Sequence, residues 1–262
     1  GLIVAEPGPE EDYFSRRFAD LLHVDDPRRL DAMATVGAWQ DQPTALDARD
    51  ALGVQMLAYQ IDGRHQQAAG PDAFMQRLDH HPAIGAELVE LSLLLQSRST
   101  LGCAAVPGLE DTPLCLHAAY GVREVLTAVG WLTASRRAPF QAGVLPLAKR
   151  KTELLFVTLD KSEGYHDRIA YHDYAISTER FHWQTQNSAG PDTPSGRRYL
   201  ESPGNGWQFQ IFIRPQRGAP YRACGPVTLD SCEGDRPMSI TWRFACPLPV
   251  RLFREFSVLR GI

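Results

Sequence analysis

The sequence predicts an α+β chain, with a helical region over residues 1–111 followed by a β-rich domain over 112–262. Apolar residues recur at helical spacing through the first half, and short apolar runs bounded by Gly, Pro, Asn or Ser dominate the second. Between them the segment GLEDTP, flanked by Pro107 and ending at Pro113, has the turn-rich composition of a domain boundary. At 262 residues the chain exceeds one ordinary domain, so two are expected.

In EDYFSRRFADLLH, residues Phe14, Phe18, Leu21 and Leu22 fall at i, i+4, i+7 and i+8 and form one apolar stripe. LDARDALGVQMLAYQ and PAIGAELVELSLLLQS repeat the pattern. Pro82 suits a first helical turn, and Ile84, Leu88, Leu91 and Leu95 share a face. Breaks fall at VDDP, GPDA and LGCAAVPGLEDTP. This half reads as a helical spacer or bundle, with a docking surface for a partner domain as its functional alternative.

Beyond the boundary, PLCLHAAY reads as a short strand and YGVREVLTAVG as a helix stopped by Gly130. Lys149, Arg150 and Lys151 then precede the apolar strand ELLFVTL, either as an anion-binding rim or as a guard against aggregation. Strand patterns follow at IAYHDYA, RFHWQTQ, WQFQIFIR, YRACGPVTLD and PMSITWRFA, and PLPVRLFREFSVL closes the chain as a helix. That many strands suffice for a small barrel or sandwich with one or two helices against it.

Composition narrows the function classes. Apolar content of 44% and charged content of 22% describe a soluble globular protein. No apolar run reaches the roughly 18 residues that span a bilayer. The start, GLIVAEPGPEE, lacks the features of a signal peptide, and its lack of Met suggests an excised fragment. Cys103, Cys115, Cys224, Cys232 and Cys246 show no C-x-x-C spacing, which fits reduced cytoplasmic thiols and no structural zinc. Charge is uneven: through Cys115 there are 8 Lys+Arg against 18 Asp+Glu, and from Leu116 on 19 against 13. The second half is therefore the better candidate for meeting an anion, and its Arg bias is compatible with phosphate or base-edge contacts.

The richest stretch is Tyr171–Tyr199, YHDYAISTERFHWQTQNSAGPDTPSGRRY, expected as two short strands and a polar loop. Alternation places His182, Gln184 and Gln186 on one face of their strand, opposite Phe181, Trp183 and Thr185. A polar face of this kind, costly to bury unpaired, faces water or reads a ligand's donors and acceptors. Gln, Asp and Arg can pair with base edges, and Tyr or Trp can stack on an extruded base. The loop NSAGPDTPSGRRY offers hydroxyls, including Ser195, with Arg197 and Arg198 for phosphates. Enzymatic signals are weaker: there is no G-x-x-x-x-G-K-[ST], G-x-S-x-G or H-E-x-x-H. A metal-dependent nuclease is the enzymatic alternative. It would use His172, Asp173 and His182, or carboxylates beside lysine such as Asp160, Glu163 and Lys161, or Glu153 after Lys151.

The segments LCLHAAYGVREVLTAVG, KTELLFVTLDKSE, YHDYAIS, FHWQTQNS, SGRRY, IFIR and EGDRPMSITWRF…PLP, from about Leu114 to Pro249, resemble a known family. It is the uncharacterised C-terminal domain of many bacterial DEAD/DEAH-box helicases, often accompanied by a phospholipase D-type nuclease domain. Some such proteins are type IV restriction enzymes that cut DNA containing modified cytosine. The resemblance implies a DNA-recognition module attached to a motor and nuclease in one polypeptide, itself without catalytic residues, metal or cofactor.

It also implies a barrel of PUA/SRA type, with a B3-like barrel as rival, that reads a flipped, modified base in duplex DNA. On that expectation Tyr171, Tyr174 and Trp183 wall a pocket, and Asp173 or Gln184 bonds the base edge. His182, Gln186, Ser195, Arg197 and Arg198 contact bases or phosphates, and Lys149, Arg150, Lys151 and Arg236 form a phosphate rim. Trp207, Trp242 and Phe244 are assigned to the core from their apolar strand contexts. The competing expectation is a protein-docking or autoinhibitory domain that regulates the motor.

Overall fold

The computed structural model describes residues 8–38, 47–62, 71–133, 135–136, 143–160 and 173–257. The chain divides into two compact units, Gly1–Ala105 with Leu109–Pro139, and Val106–Gly108 with Phe140–Ile262. Each is built on its own core.

The first unit is helical. Helix α1 (Pro9–Arg17) carries acids in its first turn and arginines in its last, as the helix dipole favours. Helix α2 (Pro27–Gly37) starts where Asp26 accepts the Arg29 backbone N–H at 3.0 Å, with Pro27 pre-set for the first turn. Helices α3 (Ala48–Asp62), α4 (Pro71–Asp79) and α5 (Pro82–Arg98) follow. Phe14, Phe18 and Leu21, the stripe expected from their spacing, pack with Met33, Leu57, Phe74 and Leu88, whereas Leu22 stays 60% exposed. Helices α2 and α5 meet at backbone contact: a Cβ on Gly37 would come within 2.5 Å of the Gly85 carbonyl oxygen. The short strand β1 (Ala119–Tyr120) and helix α6 (Val122–Ala128) belong to this unit as well.

The second unit holds strands β2 (Val144–Leu147), β3 (Thr152–Asp160), β4 (Tyr174–Ala175), β5 (Arg180–Gln184), β6 (Gln208–Gln216), β7 (Tyr221–Glu233) and β8 (Ser239–Phe244). Helix α7 (Pro194–Leu200) lies between β5 and β6, and α8 (Val250–Ser257) follows β8. The strands run β2-β3-β6-β7-β8-β5-β4, with β3 and β6 parallel and the other neighbours antiparallel. This is a large, open, mixed sheet rather than the expected barrel. Closure would require β2 to pair with β4, and among the described residues both are edges. The apolar face is covered instead by helical residues: Tyr199 of α7 and Leu252 and Phe256 of α8 join Leu155, Ile211, Ile240 and Trp242 in one core.

The polar loop expected at NSAGPDTPSGRRY is also corrected, because its second half is helix α7. Thr193 caps it, accepting the Gly196 N–H at 3.1 Å, and Pro194 occupies the first turn. Gly196 is required by packing: a Cβ there would stand 1.9 Å from the Gly190 carbonyl oxygen. The preceding loop can therefore fold directly onto the helix.

Candidate functional site

Strand β5 alternates as its sequence requires, with Phe181 and Trp183 buried on one face and His182 and Gln184 half-buried on the other. The register brings Tyr174 of β4 opposite His182, and their rings stack with centroids 5.0 Å apart and planes 16° apart. Across from His182 and Gln184 stand Thr241 and Ser239 of β8, with the Gln184 amide 3.5 Å from the Ser239 hydroxyl. Register also sets Arg180 directly opposite Arg243, a pairing that repels on its own. Asp230, at an irregularity in β7, relieves it by accepting from Arg180 at 3.0 Å and Arg243 at 2.6 Å. The Arg243 hydrogen bond holds the Asp230 carboxyl below its ordinary range. The result is an open sheet face of hydrogen-bonding side chains with two aromatic rings already stacked.

A second group gathers at one end of the same sheet. Thr152 pairs with Gln208, and the next residue, Phe209, is level with Val227 of β7 and through it with Phe244, so the starts of β3 and β6 lie level with the end of β8. The β2–β3 turn at this end presents Lys149, Arg150 and Lys151, all exposed. Lys151 adopts φ 47°, a left-handed conformation unusual for a side-chain-bearing residue. Arg198 lies over the Trp207 ring at 5.0 Å, and its Nε is 2.8 Å from Oε2 of Glu153. The Tyr199 hydroxyl donates to the other Glu153 oxygen at 2.8 Å, and burial first, then that carboxylate, pushes the phenol's pKa up. Arg197, the neighbouring residue, is exposed.

The structure thus separates the expected site residues into groups. Tyr174, His182 and Gln184 share the open face. Trp183 is turned to the core, edge-on to Tyr199 at 5.6 Å, so Trp183 and Tyr174 wall no common pocket. Strand phase is the reason: adjacent positions of the β4–β5 pair point to opposite faces. Asp173 is buried, and its Oδ1 accepts the Gln184 backbone N–H at 2.9 Å, anchoring the end of β5. Gln186 is exposed just beyond that strand, and the Ser195 hydroxyl lies 3.2 Å from that of Thr193 in the α7 cap.

Arg236, in the β7–β8 turn, is paired with Asp192 and stands 3.9 Å from Asp235. Tyr171 and the alternative ligand His172 lie outside the described residues, as do Lys161 and Glu163. Among the described residues no group of three or more His, Cys, Asp and Glu could hold a metal ion, and no helix is long and apolar enough to cross a membrane. Trp242 and Phe244 are core as expected, whereas Trp207 is only partly buried under Arg198.

Sequence reasoning overlooked the organising role of Glu153, whose one signal was a carboxylate inside an otherwise apolar strand run. It also overlooked Asp230, whose partners are set by register alone.

Residues 114–256, more than half of the chain, match a family described as a domain of unknown function, DUF3427. The chain belongs to this family. No curated protein matches it.

The DUF3427 region begins inside the helical unit, and a buried charge network there fixes its first segment. Arg29 of α2 is buried with its guanidinium against Asp26, against the Ala119 carbonyl and 2.8 Å from Oε1 of Glu124 in α6. It also lies 3.9 Å from the Tyr120 ring centroid. The other Glu124 oxygen sits 2.6 Å from His23 Nε2 and accepts the Gly121 N–H at 2.6 Å. Burial alone would raise the Glu124 carboxyl, but Arg29 and His23 overcome it and bring the pKa down to about 2.

Proposed function

We propose that this chain is a DNA-recognition module that grips duplex phosphates at one end of its sheet and reads bases across the adjoining open face. The observation that supports this most directly is that the basic turn Lys149, Arg150 and Lys151 stands beside Arg198 and Trp207 at the starts of β3 and β6, on the same sheet whose β4 and β5 carry Tyr174, His182 and Gln184. Exposed cations supply the sequence-independent attraction to phosphate, and amide, imidazole and hydroxyl groups suit base edges. The Tyr174–His182 stack offers an aromatic surface for an unpaired or flipped base.

On this reading the chain binds and does not catalyse, and it works in the cytoplasm as part of a helicase–nuclease polypeptide that restricts DNA carrying modified cytosine. The functional likeness to SRA-type base-flipping domains is part of the same proposal, with an open sheet face in place of a closed barrel. Exposed Leu93 and Leu94 on α5 favour a second role for the helical unit, docking a neighbouring motor domain.

The test is a titration against matched duplexes, plain and methylcytosine-containing, at two salt concentrations. Tighter binding to the modified duplex supports base reading. Equal affinities that fall steeply with salt would reduce the module to phosphate binding. Absence of binding to both would overturn the proposal in favour of docking.

A further inference from the structure

Five cysteines with no paired spacing offered no reason to expect a disulfide, yet the folded helical unit brings two of them together. The Sγ atoms of Cys103 and Cys115 stand 2.9 Å apart across a separation of 12 residues. Two backbone contacts hold this geometry: Ala105 forms an antiparallel bridge with Cys115, and the Leu116 N–H donates to the Ala104 carbonyl at 2.7 Å. Their environments differ in a useful way. Cys103 is exposed, whereas Cys115 is fully buried, with its backbone N–H donating to the Tyr120 hydroxyl at 2.7 Å. Burial, and next the hydrogen bond to Cys103, push the Cys115 thiol's pKa up, so Cys103 is the sulfur that meets a solution reagent first.

We propose that Cys103 and Cys115 form a reversible disulfide by exchange with a low-molecular-weight disulfide such as oxidised glutathione. The Cys103 thiolate attacks one sulfur of the reagent, forming a mixed disulfide and releasing one thiol. The Cys115 thiol then attacks the Cys103 sulfur, giving up its proton to the departing reagent sulfur. The Cys103–Cys115 bond forms, and the second reagent thiol departs. Two protein thiols are oxidised and one reagent disulfide is reduced to two thiols, so electrons and protons balance. The sulfurs must close to about 2.0 Å, a small movement for side chains already in contact.

The bond would close residues 103–115 into a loop at the entry to the family region, which begins at residue 114. That loop carries Pro107, whose carbonyl accepts the buried Gln210 amide at 2.7 Å. Oxidation would therefore add a covalent tie at the base of a segment that the reduced chain holds by hydrogen bonds and by the burial of Val106 and Leu109.

The experiment incubates the full chain with oxidised glutathione, quenches in acid, alkylates under denaturing conditions, and maps the peptides. The expected result is a dithiothreitol-sensitive linked peptide joining Cys103 to Cys115, with alkylatable cysteines falling from the five of the sequence to three. Cys103→Ser, at an exposed position, should keep its four remaining thiols free and yield no linked peptide. Accumulation of a glutathione adduct on Cys103 with Cys115 still free would overturn the proposal, as would linkage through Cys224, Cys232 or Cys246. The wild-type peptide map decides this by itself, so a poorly folding Cys115 variant would not obscure the answer.

Discussion

The guanidinium of Arg198 is held 2.8 Å from the carboxylate of Glu153, a charge buried at the start of β3 and oriented from its other side by Tyr199. Arg198 therefore has a structural duty that the exposed Arg197 lacks. Arg198→Ala should cost about 2–4 kcal/mol in urea unfolding, since it strips a buried carboxylate of its counter-charge. The side chain is partly exposed, which favours the lower part of that range. Arg197→Ala should change stability by no more than about 0.5 kcal/mol.

The basic turn separates binding from folding more cleanly. Lys149→Glu combined with Arg150→Glu should weaken duplex affinity at low salt and flatten the log–log salt dependence by about 1 for each phosphate no longer neutralised. Stability should be nearly unchanged, because both side chains are exposed. Lys151→Gly should gain about 1 kcal/mol in the same unfolding assay by relieving the left-handed backbone, while also reducing affinity. Unaltered affinity in the double variant would remove the turn from the interface.

Asp173 and Tyr174 test base reading from two directions. Asp173→Ala should lose about 1–2 kcal/mol of stability, because the Gln184 N–H is left without its acceptor. Asp173→Asn keeps an acceptor oxygen and should fold nearly normally. Tyr174→Ala removes the ring stacked on His182 and should lower any preference for the methylcytosine duplex several-fold, read by competition binding at fixed salt. A preference unchanged in both Asp173→Asn and Tyr174→Ala would place base reading elsewhere.

The buried network of the helical unit carries a pH signature. The Glu124 carboxyl is depressed from its ordinary 4.5 to about 2 in the folded chain. A depressed carboxylate contributes stability that is present above the unfolded value and lost as pH falls through the folded one. Urea midpoints should therefore fall between pH 5 and pH 2, by the equivalent of about 3 kcal/mol from this group. Glu124→Gln should show a shallower slope over that window and lower stability at neutral pH, where Arg29 would keep only aspartates as anionic partners.

Gly196→Ala is expected to be among the most damaging single changes in the sheet unit, costing more than about 3 kcal/mol. Its methyl would overlap the Gly190 backbone carbonyl, which has little freedom to retreat. Thermal unfolding monitored by circular dichroism would register the loss. A midpoint close to that of the parent would mean that the loop before α7 can move away.

Local pattern determined much of this protein. The period-two alternation of RFHWQTQ placed His182 and Gln184 opposite Phe181 and Trp183, and helical spacing identified Phe14, Phe18 and Leu21 as one buried stripe. Helix α7 was legible too, in the Thr193–Pro194 start, but the polar composition around it suggested a loop. Each of these features depends on near neighbours in the chain. Tertiary structure alone decided that β3 lies parallel to β6, that the sheet stays open, that Glu153 anchors Arg198, and that Arg29 meets Glu124. Those outcomes rest on pairings between residues tens of positions apart. Hydrophobic periodicity says which face of an element is buried, and leaves open what it is buried against.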